Sequence, residues 1–258
     1  MSVLSYLQNK ASSAVLSVSE KSSIDTSIST LKTRLGYHFS NSEIKEHFRF
    51  GSSTRDTILP RFMDDQSDID YMIVFSDNQY TPQTYLNQLK KFATDRYGSS
   101  EIFQSSPTIV LELNHIKFDL VPAIRTWSGG LQIPSRTSAW QDTNPNDFNN
   151  NLIIANTSNS FLIKPTIRLM KYWNVKSGGG FDSFLLEKWI INQNFFNCSN
   201  QKDYLFSIID KLTTSTNYSQ KLNDEISRAK KIITTVREDE AKYPNLAESE
   251  IKKLFRDS

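Results

Sequence analysis

The run Ser67-Asp68-Ile69-Asp70-Tyr71-Met72-Ile73-Val74-Phe75 constrains this chain more than any other stretch. Five apolar residues in a row, Tyr71 to Phe75, read as a buried strand. That strand opens with two carboxylates one residue apart. Side chains two apart on a strand point the same way, so Asp68 and Asp70 aim at one point. Upstream lies Gly51-Ser52-Ser53-Thr54-Arg55-Asp56-Thr57, a turn of small residues whose backbone N–H groups can reach a phosphate. Convergent carboxylates bind a divalent metal, and a small-residue turn lets a triphosphate approach.

A third carboxylate stands where the pair needs it. In Ile116-Lys117-Phe118-Asp119-Leu120-Val121, Phe118 and Leu120 share one face and Asp119 takes the other with Lys117 and Val121. A charge inside so apolar a strand is costly unless it is paired or bound to metal. If this strand lies beside the 70–75 strand, Asp119 joins Asp68 and Asp70. Three carboxylates can hold two Mg²⁺ ions, and two such ions stabilise the attacking and leaving oxygens of phosphoryl transfer. Asp119 could also help deprotonate an attacking hydroxyl within hydrogen-bond reach.

The rest of the chain is compatible with such a site. Its 258 residues and 38% hydrophobic content suffice for one large domain or two lobes. A net charge of +2 does not by itself argue for a nucleic-acid binder. One cysteine, Cys198, excludes an internal disulfide and a cysteine-rich zinc site. No apolar run approaches membrane-helix length, and Met1 to Tyr6 lacks the basic and apolar segments of a signal peptide, so a cytoplasmic protein away from membranes is expected.

Residues 1–35 predict one long or broken amphipathic helix, followed by a short helix over 41–47 and a strand including Phe48 to Phe50. Residues 81–97 read as a helix capped by Thr81 with Pro82 at its first position. Two strand patterns, Thr108 to Leu113 and Ile116 to Val121, flank a turn at Asn114-His115. Residues 126–150 look like a crossing segment between lobes. Helices then follow: one opened by Pro165, one capped by Asp182 or Ser183 after the Gly178-Gly179-Gly180 break, and others at 202–213, 218–239 and 247–256. The expected division is 1–150, an N-terminal helix plus catalytic core, and 151–258, a helical lobe.

Gly51-Ser52 with Arg55 and Thr57, Ser67-Asp68-Ile69-Asp70, and Phe118-Asp119 together resemble the nucleotidyltransferase superfamily that includes DNA polymerase beta. Within it the pattern looks like the bacterial cyclic-dinucleotide-synthase-like group (CD-NTases), relatives of cyclic GMP-AMP synthase and oligoadenylate synthetase. Their turn often reads Gly-Ser-x-x-Arg-Gly-Thr, and this chain has Asp56 where that Gly is common. Lys164 to Trp173 is similar to the helix that the group places over the donor triphosphate, and Ser183-Phe184 to the motif that follows. The resemblance spans roughly residues 45–258, with the aspartate motifs its most specific part.

The resemblance implies an α+β, two-lobed enzyme with a mixed-sheet N-terminal lobe, a helical C-terminal lobe and the active-site cleft between them. It implies Mg²⁺ (or Mn²⁺) held by Asp68, Asp70 and Asp119. Gly51, Ser52, Arg168, Lys171 and Ser183 would bind nucleotide. Substrates would be nucleoside triphosphates, ATP among them. The product, a cyclic di- or oligonucleotide, would activate a separate effector protein in a CBASS anti-phage system. Regulation by RNA or DNA is a further expectation from relatives.

Plainer readings stand beside these. Asp64 and Asp65 read as a solvated loop. Arg168 and Lys171 could be an ordinary exposed helix face, Ser183 a cap and Phe184 core. His38, His47 and His115 are scattered and suggest no site, and Cys198 suggests none either. The basic residues at 228, 230, 231, 252, 253 and 256 read as solvated helix faces. Two other classes of function stay open: transfer of a nucleotide to an RNA end, protein or small molecule, and a non-catalytic nucleotide- or RNA-binding module.

Overall fold

A computed structural model describes residues 2–135 and 139–256; residues 136–138, inside the expected crossing segment, and the chain ends lie outside it. The fold is α+β, with two compact units.

One unit comprises residues 16–61 and 65–147. It begins with helix α2 (Val18–His38), following α1 (Val3–Ser13) of the other unit. Ser17 starts α2 through a capping box: its hydroxyl accepts from Glu20 N, and the Glu20 carboxylate accepts from Ser17 N. Strands β1 (Ile44–Arg49) and β2 (Asp68–Phe75), helix α3 (Pro82–Arg96) and strands β3 (Glu101–Ser105), β4 (Thr108–Glu112), β5 (Lys117–Arg125), β6 (Leu131–Pro134) and β7 (Trp140–Thr143) follow. The sheet runs β1-β2-β5-β4-β3, with β6 joining β5 and β7 joining β6. Strands β2 and β5 are parallel, and every other pairing is antiparallel.

Alternation divides the sheet into two faces. Ile69, Tyr71, Ile73 and Phe75 of β2, with Phe118 and Leu120 of β5, share a core with Ile28, Leu31 and Leu35 of α2 and Leu86, Leu89 and Phe92 of α3. Met72 and Val74 form a smaller cluster with Val121 and Ala123 on the other face. Asp68, Asp70 and Asp119 fall in the alternation of this second face.

The other unit comprises residues 1–15, 62–64 and 148–258. It contains α1, α4 (Asp147–Ser158, whose first residue belongs to the sheet unit), α5 (Ile163–Lys176), α6 (Ser183–Ile191), α7 (Gln201–Lys211), α8 (Gln220–Asp239) and α9 (Pro244–Lys252). Helix α5 is buried on nearly all sides from Thr166 to Asn174, as expected for a central helix. Leu222, Ile226, Ile233 and Val236 of α8 point inward as their spacing predicts. Helix α1 packs on α5, α7 and α9. Its stripe of Val3, Leu7 and Ala11 is buried there.

Local expectations fail at the sheet margins. Residues 41–47 form no helix: strand β1 begins at Ile44. The segment 126–150 carries β6 and β7 and begins α4. Helix α5 starts at Ile163, two residues ahead of Pro165.

Candidate active site

The site in the sheet unit is built on the parallel β2–β5 pair. Asp70 lies opposite Asp119 in register, and Asp68 opposite Lys117. Neighbouring strands are about 4.8 Å apart, so the Asp70 and Asp119 side chains leave the same face side by side. The conditional step in the sequence argument, adjacency of these two strands, is met.

Burial and charge shape the third carboxylate. Oδ1 of Asp119 is buried with no hydrogen-bond partner among the described residues. Its Oδ2 accepts a long hydrogen bond from Thr108 Oγ1 at 3.5 Å. Burial first, then the neighbouring Asp68 charge, pushes the Asp119 pKa up to about 6. Against Asp68, the Lys117 ammonium lies 3.7 Å from Oδ2.

The turn before β2 closes against Asp70. Phe50 N donates to Asp70 O at 3.0 Å. Gly51 follows at φ +74°, and a Cβ there would sit 1.8 Å from Asp70 Oδ2. Glycine is required twice over, by backbone conformation and by the carboxylate. The Ser52 carbonyl gathers the N–H groups of Arg55, Thr57 and Ile58 at 3.1–3.3 Å, knitting the turn. Asp56, where the resembled pattern carries Gly, adopts φ +58°. Aspartate is among the few residues that tolerate this left-handed conformation, so the turn survives the departure. Arg55 and Thr57 are buried beneath it.

The donor set suits a hard divalent cation: carboxylate oxygens, one of them a buried acceptor with no hydrogen bond, beside a turn without side-chain bulk. Among the described residues, no group of three or more His, Cys, Asp or Glu side chains is drawn together closely enough to hold a metal ion.

In the helical unit, Arg168 and Lys171 are buried, 8% and 6% exposed, rather than on an open helix face. Lys171 Nζ donates to Glu187 Oε1 at 3.2 Å, and Glu187 is buried as well. Asp182, not Ser183, caps α6: its carboxylate accepts from Leu185 N at 2.8 Å. Ser183 is the first helical residue and is exposed. Phe184 is 44% exposed rather than core, with its ring edge-on to Phe148.

The remaining candidates carry local roles. His47 pairs with the Tyr71 hydroxyl and His115 with Ser27. Arg228 and Arg256 both bind Glu225, while Lys252 and Lys253 pair with Glu248 and Glu250. The site partners missed from sequence are Thr108 and Glu187, which no spacing rule connects to Asp119 or Lys171, together with the Lys117–Asp68 ion pair. Lys117 was visible on the Asp119 face, but its pairing with Asp68 needs the β2–β5 register.

Known proteins share this architecture. A probable cyclic nucleotide synthase of Bacillus cereus strain VD146 is 27% identical over 66% of this chain. The match spans 63% of that relative's own length, less than two thirds. The structure of Escherichia coli MS115-1 CdnC with ATP superposes with a TM-score of 0.70 at 14% identity, covering 94% of this chain and 93% of that one. CdnC in its complex with HORMA-deltaN gives 0.73 at 13% identity, covering 98% and 97%. At such identities the two structures speak for the fold. The pattern described as the Second Messenger Oligonucleotide or Dinucleotide Synthetase domain matches residues 1–156, more than half of the sequence. With that match and this fold, the chain belongs to the Second Messenger Oligonucleotide or Dinucleotide Synthetase domain family.

Proposed function

We propose that this protein is a magnesium-dependent nucleotidyltransferase that builds a cyclic di- or oligonucleotide second messenger from nucleoside triphosphates, ATP among them. In this reading the messenger activates a separate effector in an anti-phage system. The observation that carries the proposal is the Asp70–Asp119 register on parallel strands, with Gly51 pressed against the Asp70 carboxylate. Family membership supports it, as do the name of the Bacillus relative and the ATP bound to CdnC.

Asp68, Asp70 and Asp119 would hold magnesium. Bound there, the metal supplies charge neutralisation at the phosphates and at the attacking and leaving oxygens. Gly51 and Ser52 admit the triphosphate close to the backbone, since neither carries a bulky side chain. Arg168, Lys171 and Ser183 are assigned to the donor phosphates. A ribose hydroxyl attacks the α-phosphorus. The new O–P bond forms as the bond to the β-phosphate bridging oxygen breaks, and pyrophosphate leaves with that electron pair. The hydroxyl proton would pass to the Asp119 carboxylate, which lies beside Asp70 on the same face of the sheet. A second transfer within the linear product closes the ring.

Incubating the full chain with labelled nucleoside triphosphates and Mg²⁺ or Mn²⁺ tests this. Phosphatase-resistant small products are expected. Label on a macromolecule would favour acceptor modification, and absence of pyrophosphate release would leave only a binding module. Asp70→Asn should lower turnover at least about 100-fold while circular dichroism stays unchanged. A folded, active Asp70→Asn protein would overturn the assignment. Added RNA, DNA or nuclease tests for nucleic-acid regulation through a change in product yield.

A further inference from the structure

Lys117 sits one pleat before Asp119 on β5, on the same face, and directly opposite Asp68 across the parallel pair. Its Nζ lies 3.7 Å from Asp68 Oδ2, and its side chain is only 13% exposed. Glu112, across from Lys117 on β4, is held by Arg61 at 2.8 Å. The ammonium is thus covered and set against an acidic group of the site, while the nearby glutamate has its own cation. At 3.7 Å and partly covered, the pair makes a modest contribution to folding. Its larger effect is on the potential of the carboxylate cluster, because a fixed positive charge a few ångströms away opposes a divalent cation.

We propose that Lys117 is a built-in counterion: it holds Asp68 in the metal-free protein and yields it to the incoming divalent cation. It thereby sets the cation concentration at which the site fills. Lys117 acts through Asp68 and is a positioning residue. The inference rests on the metal-binding reading of the aspartates.

Thermal-shift titration of the full chain with Mg²⁺ and with Mn²⁺, nucleotide-free, provides a readout independent of turnover. Lys117→Met should move the titration midpoint at least about threefold lower, since an opposing charge is gone. Lys117→Arg should retain the wild-type midpoint. In chelator, the Tm change from Lys117→Met should shrink when Asp68→Asn is already present, the non-additivity expected of a coupled pair. If Lys117→Met does not fold, Lys117→Gln serves in its place. An unchanged or higher midpoint, an arginine variant that shifts as far as methionine, or strictly additive Tm changes would overturn the counterion role. A wild-type protein with neither a metal-dependent shift nor turnover would instead overturn the proposed function.

Discussion

Asp119 sets function against stability within a single side chain. Its pKa stands at about 6 in the folded protein, against 3.8 for an ordinary aspartate. Between those values the folded state binds more protons here than the unfolded chain, so this group's contribution to stability is present at pH 4 and lost as pH rises through 6. In chelator, Asp119→Asn should therefore stabilise the protein at pH 7.5 by about 1–3 kcal/mol, a gain that fades towards pH 4. Thermal melts of both proteins at the two pH values check it; a variant less stable at pH 7.5 would contradict the burial argument. Turnover should vanish in the same variant. Gly51 behaves in the opposite sense, because any side chain there meets Asp70 Oδ2 and strains the backbone. Gly51→Ala should cost about 1–3 kcal/mol and lower turnover by more than that loss of stability accounts for. Equal losses would show that Asp70 had simply moved aside. The aspartates themselves were legible in the sequence, since strand alternation fixes their face. Their register was not, because pairing between strands 49 positions apart is a tertiary fact.

At the scale of elements, legibility followed burial. Strand β2, apolar over five residues, and the β4–β5 hairpin were readable, as was α3 with its Thr81 cap and Pro82. Of β1 only the end at Phe48-Arg49 was readable, and β3, β6 and β7 escaped; β1 and β3 are the two ends of the main sheet path. An end strand faces solvent along one side, and β1 shows only intermediate and exposed positions. It has no apolar alternation to betray it, and its Ile44-Lys45-Glu46-His47 composition suits a helix as well. The start of α6 gives a sharper test of what spacing leaves undecided. Asp182→Ala should cost about 1 kcal/mol in a denaturant melt, and Ser183→Ala only a few tenths. The reverse order would return the cap to Ser183.

At the scale of the molecule, the first helix belongs in packing to the last hundred residues. Leu7 and Ala14 have no exposed surface, and the Tyr6 ring meets Phe255 at 6.4 Å, itself stacked on Tyr172 at 5.6 Å. The amphipathic stripe of α1 was legible; its destination was not, because a stripe does not name the surface that covers it. Deleting residues 1–15 should loosen the helical unit selectively. Hydrogen exchange would rise in α5, α7 and α9 while β2 and β5 keep their protection. Uniform loss across both units would contradict this. The parallel pairing of β2 with β5 has a consequence in time. Parallel neighbours cannot be joined by a tight turn, and here α3, β3 and β4 intervene. Chain closure of that length makes the acidic pair a late product of folding. A nascent chain that has not yet emerged through β5 has no assembled pair, so a translation product truncated before β5 is silent by construction.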